Sequence, residues 1–206
     1  MGGRDRKVPP FSFGLDAFVS KWEVAMMIPN LETERLILKP LCREDIDAIQ
    51  QVFPQWEIVR WLDARVPWPY PEGGARSFIE QVVLPAEKAG TGWHWSIRRR
   101  ADPATLIGEI TLQDVPRNNR GFWIVPEWQR HGYAGEAADA VTQFWFEVLS
   151  KPVLHVPKAA ANIASRRISE RQGMRVIEVF KGQLVGGEYD LELWELLREV
   201  WLARRQ

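Results

Sequence analysis

The 206-residue chain has a single cysteine, Cys42, so no internal disulfide can staple it, and a reducing compartment is the expectation. It also has no surplus of charge, because 27 basic side chains balance 27 acidic ones. A general electrostatic grip on nucleic acid needs a basic excess, and a disordered chain needs one-sided charge or few apolar residues. A sequence that is 46% hydrophobic and neutral fits neither. No apolar run approaches the ~20 residues needed to span a bilayer. Pro9, Pro10 and Asp16 interrupt anything resembling a signal-peptide core. Histidine is scarce: His94, His131 and His155 are widely separated and lack the i, i+4 spacing of a metal site, so no metal is expected. There is no Gly-x-Ser-x-Gly elbow and no Walker loop. Gly90-Thr91-Gly92 lacks the third glycine and the following helix of a dinucleotide fingerprint. The expectation is a soluble, cytoplasmic protein with no nucleic-acid or membrane partner.

What is present is a change of pattern along the chain. Residues 1–30 have no firm period and read as an N-terminal arm, with Met26-Met27 a plausible alternative start; 31–206 reads as one domain. Leu36-Ile37-Leu38 reads as a strand stopped by Pro40, and Ile46, Ile49 and Phe53 recur at helical spacing until Pro54. Further helices are expected over residues 55–62 and from Ala75 to Val82, the second ended or kinked by Pro85. Trp93, Trp95 and Ile97 alternate with His94, Ser96 and Arg98, the pattern of a half-buried strand. Strands over 106–112 and 121–125 follow through short turns, which makes an antiparallel meander. Arg98-Arg99-Arg100 is expected at a solvated hairpin end. A long helix from about Ala134 to Leu149, a short strand from Val153 to Val156, a helix between Asn162 and Gly173, and a terminal hairpin complete a mixed α/β (α+β) domain.

The informative segment lies between the third meander strand and the long helix: Gln129-Arg130-His131-Gly132-Tyr133-Ala134-Gly135. A helix N-terminus has about four unpaired N–H groups and a partial positive charge. When the turn leading into it lacks side-chain bulk, those donors can wrap a phosphate. Gly132 and Ala134 provide that access, and Arg130 and His131 add charge. An ordinary strand-to-helix turn would also use glycine here, for its tolerance of positive φ.

From Arg35 to Trp201 the sequence resembles the GNAT acetyltransferase superfamily, and within it the RimJ/RimL type that acetylates ribosomal-protein N-termini. The matching segments occur in order: residues 32–38, Glu-Thr-Glu-Arg-Leu-Ile-Leu; the fourth-strand stretch 121–128; the loop at 129–134; Glu136-Ala137-Ala138; and Asn162-Ile163-Ala164-Ser165 with Gln172-Gly173-Met174. The resemblance implies a mostly antiparallel central sheet flanked by helices, with a splayed fourth strand. It implies acetyl-CoA as co-substrate and direct attack by a primary amine, on a protein N-terminus or a small molecule. The backbone of Ile124 and Val125 would meet the pantetheine arm, residues 129–135 the pyrophosphate, and Asn162 and Ser165 the thioester region. Asn162 read on its own is as readily a plain helix N-cap.

Two groups that relatives use for proton transfer are missing. Asn118-Asn119-Arg120 stands where many carry a fourth-strand glutamate, and Ser169 where a tyrosine is usual. The remaining acid–base candidates are Glu109, Asp190 and Ser165. Glu109 and Asp190 could equally be solvated or hydrogen-bonded strand carboxylates. The eleven tryptophans are mostly explained by core packing, but Trp56, Trp68 and Tyr70 flank a proline-rich rim and are candidates for the acceptor wall. A catalytically silent acyl-CoA-binding module and a homodimeric assembly both stay open at this point.

Overall fold

The computed structural model describes residues 28–204. Strands β1 (Leu31–Glu32), β2 (Leu36–Pro40), β3 (Gly92–Arg99), β4 (Asp102–Gln113) and β5 (Arg120–Ile124) form an antiparallel sheet in chain order. The strands β6 (Val153–Ala159), β7 (Arg175–Leu184) and β8 (Gly187–Leu197) form a second antiparallel sheet in the order β6-β8-β7. Helices α1 (Ile46–Val52), α2 (Trp56–Val59), α3 (Gly74–Phe78) and α4 (Leu84–Lys88) separate β2 from β3. Helix α5 (Tyr133–Gln143) links β5 to β6, α6 (Ile163–Gln172) links β6 to β7, and α7 (Arg198–Ala203) follows β8. The expected arm lies outside the described residues as far as residue 27. From there the chain is seated, since Ile28 packs on the core and the Pro29 carbonyl accepts from Trp95 Nε1 at 2.9 Å.

Apolar cores lie on both faces of the first sheet, which explains one departure from expectation. On one face Trp93, Trp95, Ile97 and Ile110 pack against Ala137, Val141, Phe144 and Trp145 of the α5 region. On the other, Trp123, Val125 and Leu106 pack against Ile46, Ile49, Phe53, Ile79 and Val83. The alternation in β3 therefore does not mark a half-buried strand. His94 and Ser96 are buried too, because α1–α4 cover the face that polar residues would otherwise present to water.

Pro85 neither ends nor visibly interrupts its helix, which runs on to Lys88. The preceding turn, Ile79–Val83, is π-helical, and that wider winding accommodates the carbonyl the proline ring would meet in an α-helix. The expected helix over residues 55–62 shortens to Trp56–Val59. The arginine run is not a solvated end. Arg98 is paired with buried Asp45, Arg99 lies 3.9 Å over the Trp128 ring, and Arg100 holds Glu32 at 2.7 Å. Strand β6 continues through Pro157 to Ala159, with Pro157 opposite Leu193. Because β6 is an edge strand and its even-numbered residues face β8, the missing N–H of Pro157 falls on the unpaired side.

β5 and β6 are edge strands of different sheets, and they touch at one end. The Asn119 N–H donates to the His155 carbonyl at 2.8 Å, and Asn119 Oδ1 accepts from the His155 N–H at 2.8 Å. Asn119 Nδ2 donates to the carbonyls of Val115 at 2.9 Å and Gln113 at 3.2 Å. Beyond this stitch no ladder joins the two strands, so they diverge. The fourth strand of the expected count is β5, since the short β1 precedes the opening strand.

Asn119→Ala removes three part-buried side-chain bonds at about 1 kcal/mol each. The expected loss is about 3 kcal/mol, read from urea unfolding; a loss under about 1 kcal/mol would show that the stitch is dispensable.

Candidate active site

The loop from Gln129 to Gly132 carries the chain from β5 into α5. Arg130 and Gly132 both have positive φ, 63° and 82°, and this left-handed pair folds successive N–H groups to one side. The first helical bond of α5 runs from the Glu136 N–H to the Gly132 carbonyl, 3.1 Å. Among the described residues, the N–H groups of Arg130, His131, Gly132, Tyr133, Ala134 and Gly135 meet no acceptor. The loop is braced from outside. Arg35 Nε donates to Glu136 Oε2 at 2.7 Å, Arg35 Nη1 donates to the His131 carbonyl at 3.0 Å, and the guanidinium lies 4.9 Å over the Tyr133 ring. His131 stacks on Tyr133 with centroids 5.6 Å apart, and Gln129 Nε2 donates to the Ile124 carbonyl at 2.9 Å. A Cβ on Gly135 would come within 2.6 Å of Arg171 Nη2, so α6 brings another cation to this turn.

β5 leads from the stitch to this loop. The Val125 N–H donates to the Ile107 carbonyl at 2.9 Å, and the Val125 carbonyl accepts from Trp128 at 2.9 Å, so both Val125 groups are engaged. The alternation of an antiparallel edge then turns the backbone of Ile124 and Phe122 towards the gap before β6. Of the expected pair, Ile124 turns its N–H to the gap while its carbonyl is held by Gln129, and Phe122 faces the same gap. Across the gap, Asn162 caps α6 by accepting from the Ser165 N–H at 3.2 Å. The Ser165 carbonyl accepts from Lys158 Nζ at 3.0 Å, while its hydroxyl takes no partner among the described residues.

On the opposite face, Glu109 is buried at 6% exposure and accepts from Trp123 Nε1 at 2.9 Å and Thr111 Oγ1 at 3.0 Å. His94 Nδ1 lies 3.0 Å from Thr111 Oγ1 and 3.4 Å from Glu109 Oε1. Tyr70 packs edge-on against Phe53 with centroids at 4.8 Å; burial, and secondarily the charge of Glu109, push its phenol up to about 12. Tyr70 and Glu109 thus share a neighbourhood. Trp56 and Trp68 stand apart from it, paired at 5.7 Å and each more than 40% exposed. Asp190 joins neither group: it is held by Lys181 Nζ at 2.8 Å in an exposed ion pair on the hairpin. Lys158 lies past the strand expected over Val153 to Val156, and the bracing role of Arg35 appears only once Glu136 is beside it.

The residues fit a pyrophosphate and an extended amide-bearing arm: a cradle of N–H donors at a helix start, flanking guanidiniums, and exposed strand backbone leading away. The family described as the acetyltransferase (GNAT) domain matches residues 35–175, and the chain belongs to it. An uncharacterised N-acetyltransferase, YoaA of Bacillus subtilis, is 29% identical over 179 residues, covering 84% of this chain and 98% of that protein. The ribosomal-protein-S5-alanine acetyltransferase of Vibrio fischeri has the same fold, with a TM-score of 0.70 at 15% identity over 84% of this chain and 98% of that one. Spermidine N-acetyltransferase from Vibrio cholerae, solved with CoA and spermine, gives a TM-score of 0.67 at 18% identity over 81% and 98%. The protein is an N-acetyltransferase that moves an acetyl group from acetyl-CoA to a primary amine.

The polar strip around His94 has a pH signature. Burial raises the Glu87 carboxyl from 4.5 to about 7, partly offset by His94. The folded protein therefore binds this proton more tightly than the unfolded chain, and stability declines as pH rises from about 4.5 to 7. Glu87→Gln should be more stable than wild type by about 1–2 kcal/mol above pH 7, after allowing for solvent screening, and no more stable at pH 4. Denaturant midpoints at the two pH values test this; a pH-independent difference would assign the effect to packing.

Proposed function

We propose that the acceptor is the α-amino group of a peptide or protein, and that the N–H cradle of residues 130–135 holds the pyrophosphate of acetyl-CoA. The observation that carries the donor side is the row of six acceptor-free N–H groups at the start of α5. Ile124 would offer its outward backbone to the pantetheine arm, and the Asn162–Ser165 turn would border the thioester. The acceptor reading rests on the exposed Trp56–Trp68 pair, two apolar rings inclined at 45° that suit peptide side chains. A polycationic amine is the second reading, which the spermidine enzyme among the fold relatives keeps in view.

Acetyl-CoA supplies an acyl thioester to the site. The amine nitrogen must be neutral to form the new C–N bond as the C–S bond breaks, with the electron pair leaving on sulfur. In this reading Glu109 draws off the amine proton through water, and the Ser165 hydroxyl, which takes no partner among the described residues, donates on the sulfur side. Asp190 drops out because Lys181 holds it at the surface. A cysteine acyl-enzyme is disfavoured, since burial, reinforced by Glu44 and Asp45, pushes the Cys42 thiol up to about 12.

Acetyl-CoA at ~100 times its dissociation constant should add about 2.7 kcal/mol to the folded state, seen as a rise in melting temperature. Gly132→Glu should abolish that rise by placing a negative side chain in the cradle at a position of φ 82°. An unchanged response in a folded variant would remove the assignment. For the acceptor, CoA release is compared for Ser- and Ala-initiated peptides and for spermine. Trp68→Ala should raise KM for the preferred peptide about 5–10-fold with little change in kcat, as loss of one aromatic contact does. Turnover with spermine alone would establish the second reading.

A further inference from the structure

Two cations are buried beside the strands that frame the gap. Arg120 on β5 is 2% exposed; it reaches Thr142 Oγ1 at 2.5 Å, and its Nε has no partner among the described residues. Lys158 on β6 is 7% exposed, and its Nζ donates to the Ser165 carbonyl at 3.0 Å and to Ser169 Oγ at 2.5 Å. The charged groups that face Lys158 are Arg120 from β5, Glu192 from β8 and Glu170 from α6. Glu192 is already engaged by Arg166 at 2.9 Å and Trp194 Nε1 at 3.0 Å. No carboxylate lies within ion-pair distance of Lys158 among the described residues.

An apolar side chain would fill this position without the desolvation cost of a charge. The retained ammonium bonds a neutral carbonyl and a neutral hydroxyl, and Arg120 repels it. Glu192 and Glu170 offset part of that repulsion, and negative charge forming nearby would offset more of it. Its carbonyl partner belongs to the residue whose hydroxyl borders the thioester region, whereas the Ser169 hydroxyl is tied to Lys158 itself.

We propose that Lys158 is the positioning residue of the leaving-group side: it fixes the first turn of α6 through the Ser165 carbonyl, leaves the Ser165 hydroxyl free to donate to sulfur, and sets a buried positive charge behind that sulfur. The proposal rests on the donor-side reading given above. When the C–S bond breaks, the electron pair stays on sulfur, and a fixed cation stabilises that charge more than it stabilises the uncharged thioester. The sulfur later takes a proton from solvent. Burial, and secondarily Arg120, hold the Lys158 ammonium well below its ordinary range, so the cation is present at low pH and lost as pH rises through the lowered value.

The test needs no acceptor. CoA is bound to the enzyme and its thiol is titrated by ultraviolet absorbance of the thiolate. In wild type the bound thiol should ionise about one pH unit below free CoA, and Lys158→Met should return it towards the free value while CoA affinity stays within about twofold. Lys158→Arg should retain most of the shift. Lys158→Gln, which keeps a donor towards Ser165 without the charge, gives the same readout should the methionine variant not fold. Ser169→Ala should leave the titration unchanged, because it removes neither the charge nor the Ser165 tie. CoA bound with an unshifted thiol in wild type, or an equal shift in the methionine or glutamine variant, overturns the role of Lys158 alone. Failure of wild type to bind CoA overturns the donor-side reading and this inference with it.

Discussion

Asn119 uses every polar atom of its side chain to tie β5 to β6 and to the turn before it, and the rest of the site depends on where that tie stops. One residue further along, the strands have no common ladder. The outward backbone of Phe122 and Ile124 then borders a gap instead of a partner strand. The gap in turn decides what α5 and α6 can do: α5 starts at the end of β5 and aims its unpaired N–H groups at one mouth, while α6 starts beyond the end of β6 and places its capped first turn on the other side. A continuous eight-stranded sheet built from these segments would be a sound fold with nowhere to lay an extended ligand.

The two faces of the first sheet carry opposite electrostatic equipment. Towards α1–α4 lie Glu109, Glu87, His94 and the Tyr70 phenol, groups that accept or share protons; burial pushes the Glu87 carboxyl and the Tyr70 phenol towards their neutral forms. Towards α5 and α6 lie Arg120 and Lys158, cations without a bonded carboxylate among the described residues. In the proposed mechanism amine deprotonation draws on the first set and thiolate departure on the second, and both act on the one carbonyl carbon from their own side. A shared pocket would let the carboxylates quench the cations.

Much of this was legible in the residues. The meander, the loop before α5, the Asn162 cap and the αL glycine at Gly173 all follow local rules that tertiary contacts reinforce. What was hidden is hidden for specific reasons. His94 and Ser96 looked solvent-facing because alternation is silent about what covers the second face. The strand expected to span Val153 to Val156 runs on through Pro157 to Ala159 because the rule against proline in strands relaxes at an edge, and edge status is a property of the whole sheet. Lys158 lies in that extension. Pro85 looked like a helix end because its accommodation lies in the turn before it. Arg98 looked exposed because its partner, Asp45, is far away in sequence. In the site, the loop could be read as a unit, but Val125 could be set aside only once its two backbone bonds were seen.

Pro157 bears on the gap in another way. It sits on the side of β6 that faces β5, where a ladder closing the two strands together would need an N–H at that point, and it has none. The ring thus removes one of the bonds that a ladder between β5 and β6 would use, and it works against pairing along this edge whether the partner were β5 or a foreign strand.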